Sequence, residues 1–297
     1  MRKRIIFVPG KNPKPEPELH RQLLSRCLIE GVRRHSDVIA EEILQEDAFS
    51  ACHWNHDFYG EHFDFTDFFP AVDSLLRKQR PTITDKLCAR TWKIKLSRLI
   101  YQTGDRFPWL IDMVADEHVK AMLEGTNDYF NDVDGKATRA RDSLKEILGN
   151  CTKDCKVLLI GHSLGSVISY DTLFELSQLD RQRKRADLFL TLGSPLGLRY
   201  TQERLLSFSD NDPDKVPSNI LEWKNVAARG DLVSVDTTLA NDFSLMIEQG
   251  LVDNITDYSK GVYNWFKGPL GYNFHSSYSY LSGPVVSNII TRWWSQN

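Results

Sequence analysis

Residues 155–166 read Cys-Lys-Val-Leu-Leu-Ile-Gly-His-Ser-Leu-Gly-Ser, in which the uncharged apolar run Val157–Ile160 passes straight into Gly-x-Ser-x-Gly. Val167, Ile168, Leu173 and Leu176 follow at helical spacing. A buried strand, a tight corner and a helix therefore meet at Ser163. Such a corner is a nucleophile elbow: small residues on either side of the serine let the backbone turn sharply, and the hydroxyl stands clear of the sheet. The bland alternative, a glycine-rich turn whose serine only caps the helix, leaves the apolar run before the motif unexplained.

A serine hydroxyl is a weak nucleophile and needs a base, itself oriented by a carboxylate. Around an elbow on an open α/β sheet, acid and base follow the serine in that order along the chain. His20, His35, His53, His56, His62 and His118 all precede Ser163, and His162 lies inside the elbow. This leaves His275, in the loop-like stretch Gly271–Tyr278. The acid should follow a strand, and residues 221–228 supply one, followed by the turn Arg229-Gly230-Asp231. Asp231 is the expected acid and Asp236 the alternative. Asp210, Asp212 and Asp214 sit in a polar, proline-containing loop and read as solvated turn residues.

Acyl transfer also needs backbone N–H groups at the developing oxyanion. Leu164, directly after the serine, should give one. The β-branched run Arg4–Val8, broken by Pro9-Gly10, should give the other through the Lys11 N–H, with Gly10 supplying backbone freedom.

Taken together, Val8-Pro9-Gly10, Gly161–Gly165, Leu192-Gly193-Ser194-Pro195-Leu196-Gly197, Trp223-x-Asn225 leading to Asp231, and His275-x-x-Tyr278 resemble lipase-like serine esterases of the α/β-hydrolase superfamily. The likeness extends to the serine esterase and GPI inositol-deacylase-like group, in which a Gly-Ser-Pro turn also follows the strand after the nucleophile helix. The resemblance implies Ser163 as nucleophile, Asp231 as acid and His275 as base. It implies a serine carboxylic-ester hydrolase acting on a small-molecule or lipid-like ester. A thioesterase or acyltransferase would use the same residues, and a catalytically silent binding protein would keep the elbow without the chemistry.

The expected fold is α/β: a reduced, mostly parallel, doubly wound sheet of the α/β-hydrolase type in one domain spanning residues 1–297, with a helical cap inserted at 56–130. Strands are expected at 4–8, 49–54, 156–160, 188–192 and 221–228, and helices at 20–34, 137–148, 165–179 and 285–294. Alternating strands and helices place a site at the carboxyl ends of the strands. The cap is dense in aromatics between His56 and Pro70, which suit packing more than an acyl pocket, and reads as helical at 92–100 and 109–123. The amphipathic stretch from Phe243 to Phe266 could flank an acyl groove or, as the minor option, touch a membrane surface, although it lacks the strongly basic polar face of an interfacial helix.

A net charge of −3 excludes bulk electrostatic binding of nucleic acid. No apolar run nears the ~18 residues that span a bilayer, so only peripheral membrane contact is open. The Met1–Arg4 start lacks an apolar segment of signal-peptide length, and five scattered cysteines fit reduced thiols, so a cytoplasmic location is expected. No cofactor is needed. His53, His56 and His62 with Asp57, Asp64 and Asp67 do not form a recognised zinc spacing, so no metal is expected. The basic run Arg181–Arg185 reads as a solvated helix end. Nothing in the sequence sets the oligomeric state.

Overall fold

A computed structural model describes residues 2–91, 126–152, 154–180, 185–207 and 215–296. Six parallel strands form the central sheet: β1 (Lys3–Val8), β2 (Phe49–Ala51), β3 (Lys156–His162), β4 (Ala186–Leu192), β5 (Ile220–Val226) and β6 (Asn254–Tyr258), in the order β2-β1-β3-β4-β5-β6. A separate antiparallel hairpin pairs β7 (Phe266–Gly268) with β8 (Gly271–Asn273).

The sheet is covered on both faces, as an all-parallel sheet requires, and the period of two along each strand divides the core accordingly. Ile5, Phe7, Leu158, Ile160, Leu188 and Leu190 pack toward the helices Pro17–Arg33, Asp37–Gln45 and Pro284–Ser295. Ile6, Val8, Val157, Leu159, Phe189 and Trp223 pack toward the helices Lys136–Gly149 and Leu164–Leu179. The Leu164–Leu179 helix lies so deep that even Ser166, Ser169, Thr172 and Ser177 are buried. These features define an α/β fold with a six-stranded parallel sheet between helical layers. Among the described residues no helix is long and apolar enough to cross a membrane.

Several expectations need correction. The strand read over 49–54 stops at Ala51, because Trp54 opens a helix (Trp54–Tyr59) with its ring fully buried and its indole N–H donated to Pro9 O at 2.9 Å. The Asp37–Gln45 helix was not legible as a separate element; Ser36 starts it by accepting the Ile39 N–H. The stretch from Phe243 to Phe266 is not one amphipathic element. Its Ile255 and Tyr258 belong to β6, which pairs with β5 through Trp223↔Ile255 and Val226↔Tyr258, while Phe243 and Met246 join the core.

Within the stretch read as a cap, Phe65, Ala71, Val72 and Leu75 join the same core as the Pro17–Arg33 helix, so these apolar groups serve packing. The helices read at 92–100 and 109–123 lie outside the described residues, as do Asp210, Asp212 and Asp214 and most of the basic run at 181–185.

Candidate active site

Ser163 stands between the end of β3 and the start of the Leu164–Leu179 helix with φ 55° and ψ −130°. A non-glycine residue held at positive φ costs about 1–3 kcal/mol and persists only where its surroundings impose it. Here they do. The Ser163 N–H donates to Leu192 O at 3.0 Å, and its carbonyl accepts from Ser166 N at 2.9 Å and Ser166 Oγ at 2.5 Å. Ser166 Oγ also bonds Ser194 Oγ at 2.7 Å, tying the corner to the Gly-Ser-Pro turn after β4. Gly165 sits against the Val8 and Pro9 carbonyls so closely that a Cβ there would collide with both. The first helical N–H, that of Leu164, has no acceptor within its own helix.

Asp231 and His275, 44 residues apart, meet at 2.8 Å between Oδ2 and Nδ1. Asp231 is buried, and its carboxylate accepts two further bonds: Tyr280 OH donates to Oδ2 at 2.6 Å and Val233 N–H to Oδ1 at 2.9 Å. Burial pushes this carboxyl up, but His275 and these two donors outweigh it and hold the group below its ordinary value. Burial, and then Asp231 itself, push the Tyr280 phenol well up, so it stays a donor. The imidazole is seated from the backbone side: His275 N–H bonds Asn273 Oδ1 at 2.9 Å, and Asn264 Nδ2 holds the preceding carbonyl, Phe274 O, at 2.6 Å.

Gly193, at φ +54°, lies under this pair, where a Cβ would come within 2.7 Å of Asp231 Oδ2 and 3.0 Å of the His275 ring. His162 and His275 have ring centroids 4.6 Å apart, and His162 Nε2 bonds the His275 carbonyl at 2.9 Å. Burial, then His275 and Lys14, lower the His162 pKa well below the usual imidazole range. The ring is therefore neutral, with its proton on the nitrogen that faces the carbonyl.

Gly10 brings the loop after β1 against the serine, since a Cβ there would lie 2.7 Å from Ser163 Cβ. Trp54 Nε1 donates to Pro9 O, Asn55 Nδ2 to Gly10 O at 2.8 Å and to Asn12 O at 3.1 Å, and Lys14 Nζ to Lys11 O at 2.6 Å. With their carbonyls pinned, residues 9–12 form a fixed wall beside Ser163, and Lys11 belongs to it. Asp236 lies apart, its Oδ1 accepting from Thr238 N and Oγ1 in a local turn.

Sequence reasoning brought Ser163, Asp231, His275, Gly10, Lys11 and Leu164 to one region. It passed over Tyr280, Asn264, Trp54 and Asn55, which position them, and the parts that Gly193 and His162 play beside the Asp231–His275 pair. Among the described residues the Ser163 hydroxyl makes no hydrogen bond to His275, a contact that in sites of this kind often closes only around substrate. Among the same residues no cluster of His, Cys, Asp and Glu has the arrangement of a metal site. A serine on a strained corner, an oriented imidazole with a buried carboxylate, and backbone N–H groups nearby are the parts that acyl transfer uses. No family model matches the chain, and no curated protein or solved structure matches it.

Proposed function

We propose that the chain is a serine hydrolase of the α/β-hydrolase type that cleaves carboxylic esters through an acyl-enzyme on Ser163. The observation that carries this reading is the strained elbow at Ser163, next to an Asp231–His275 pair fixed by a hydrogen bond. In the proposed reaction His275, oriented by Asp231, takes the proton of Ser163 as its oxygen attacks the ester carbonyl. The N–H groups of Leu164 and Lys11 receive the oxyanion, and His275 returns the proton to the leaving alcohol. Water, activated by the same imidazole, then frees the acid. Thioester hydrolysis and acyl transfer would use the same groups, and competing alcohol acceptors in a product analysis separate them from ester hydrolysis.

The test is labelling of the purified protein with a fluorophosphonate, wild type beside Ser163→Ala and His275→Ala, followed by a p-nitrophenyl ester series of increasing acyl length. Labelling of the wild type that is lost in Ser163→Ala and strongly reduced in His275→Ala supports the reading. A folded wild type that neither labels nor turns over any ester overturns it.

A further inference from the structure

Lys14 lies in the loop that forms the wall beside Ser163, and its ammonium donates to Lys11 O at 2.6 Å. Among the described residues it has no carboxylate partner. Lys14 is partly buried, and burial, then Lys11, depress this amine to about 8. Lys14 forms one side of a small cavity completed by His20, His53, Asn55, His56 and His62, with exposed Glu61 on the rim. Two wall groups carry buried atoms with no hydrogen-bond partner: His20, only 2 % exposed, at Nδ1, and Asn55, also 2 % exposed, at Oδ1. Buried polar atoms of this kind are rare, and each calls for a partner.

The groups around the cavity define what it would take. A lysine and imidazoles that can donate favour an anion. Asn55 Oδ1 can only accept, so the ligand must also offer a donor next to its charge. The cavity volume of about 10 Å³ admits one water-sized group, which is one terminal oxygen rather than an acyl chain or a sugar. Asn55 joins this cavity to the candidate site directly, because its amide holds the Gly10 and Asn12 carbonyls. Of the charged groups that line the cavity, Glu61 lies exposed on the rim, where water screens its carboxylate, and the partly buried one is the Lys14 ammonium.

We infer that this cavity is an anion subsite of the candidate active site, taking a terminal oxygen of a phosphate-type group carried by the substrate. The inference rests on the hydrolase reading and narrows it: the ester cleaved at Ser163 bears an oxyanion with a hydroxyl on the side of the 9–14 loop. A phosphate monoester group satisfies both Lys14 and Asn55, whereas a plain carboxylate satisfies only Lys14.

Isothermal titration of the full chain with sodium phosphate, and separately with sodium acetate, at constant ionic strength tests this. Phosphate should bind more tightly than acetate, Lys14→Gln should weaken phosphate by roughly tenfold or more, and Lys14→Arg should retain it, since a charge-assisted hydrogen bond is worth about that factor. Should Lys14→Gln fail to fold, the ring proton resonances of His20 and His53 in the wild type give an independent readout and should shift with phosphate. Absence of binding by either anion, unmoved histidine resonances, or phosphate binding unchanged in folded Lys14→Gln overturns the inference. Fluorophosphonate labelling of the same samples separates the two claims. A labelled Ser163 without anion binding sinks the subsite alone, and anion binding with an unlabelled Ser163 sinks the hydrolase reading while the anion site stands.

Discussion

His162 donates its ring N–H to the backbone carbonyl of His275 at 2.9 Å, so the residue preceding the candidate nucleophile holds the residue proposed to activate it. Substituting His162→Phe keeps an aromatic ring against His275 but removes the donor, leaving a carbonyl unsatisfied at a cost of about 1–3 kcal/mol. The expected outcome is a fluorophosphonate labelling rate at Ser163 lower by roughly tenfold or more, because small displacements of a base are expensive. Circular dichroism should remain that of the wild type. A labelling rate equal to wild type would show that the His275 loop does not depend on this bond.

Gly193→Ala should be more severe than its single methyl suggests. Alanine is strained at φ +54°, and its Cβ would meet Asp231 Oδ2 and the His275 ring at once. We expect kcat/KM for an activated ester to fall roughly hundredfold or more, with the far-ultraviolet spectrum retained. Activity within a few-fold of wild type would mean that the acid–base pair can shift without consequence.

Tyr280→Phe removes the phenol that donates to Asp231 and accepts the Ala228 N–H at 2.9 Å. The folded-state pKa of Asp231 lies below its ordinary value of 3.8. Its contribution to stability is therefore present above that value and is lost as pH falls through the folded pKa. Without the phenol the folded pKa rises, so acid unfolding of the variant should begin at higher pH, with about 1–3 kcal/mol lost near neutrality. Urea melts at several pH values check this; parallel wild-type and variant curves below pH 5 would refute it.

Asp171 makes the opposite prediction. It is buried in the Leu164–Leu179 helix, where it accepts from Tyr129 OH at 2.8 Å and Leu206 N at 3.1 Å, and desolvation raises it to about 7 against these bonds. Between 3.8 and about 7 the folded protein holds a proton that the unfolded chain has released. Stability should accordingly fall as pH rises across this window, by up to about 1.4 kcal/mol per pH unit. Asp171→Asn should flatten that slope, and a variant whose stability still falls as steeply from pH 4 to 7 would exclude Asp171 as the cause.

The elements legible in the sequence are those whose signal is local. The β3 run and the elbow carry their own pattern, as do the apolar stretches of β1, β4 and β5. The Lys136–Gly149 helix announces itself through Ala137, Ala140, Leu144 and Leu148 on one face. β6 was missed because Asn254-Ile255-Thr256-Asp257-Tyr258 is short and its polar residues at 254, 256 and 257 break the alternation of a strand; it becomes one through pairing with β5 and through Asn225 Nδ2 on Asp257 Oδ1 at 2.9 Å. The triad candidates followed from chain order, which needs no distances. The groups that seat them did not, because Tyr280 and Asn264 act across the fold on side chains and carbonyls whose nearness no spacing rule encodes. Trp54 read as the end of a strand for the same reason, since its role as a clamp exists only once β1 lies beside it.

The central sheet also has a consequence for how this chain can change. The 9–14 loop leaves β1, Ser163 leaves β3, Gly193 leaves β4 and Asp231 follows β5, all at the same end of parallel strands. Because helices cover both faces of the frame, mutational drift there is penalised through packing, whereas among these connections the side chains of residues 11–14 are half-buried or exposed and carry less of that penalty. Selection could therefore retune which molecule is accepted by editing residues 11–14 while the scaffold's heritable pattern stays fixed. Relatives of this chain should thus diverge first in that short stretch, with the elbow and the Asp231–His275 pair as the most slowly changing record of common descent.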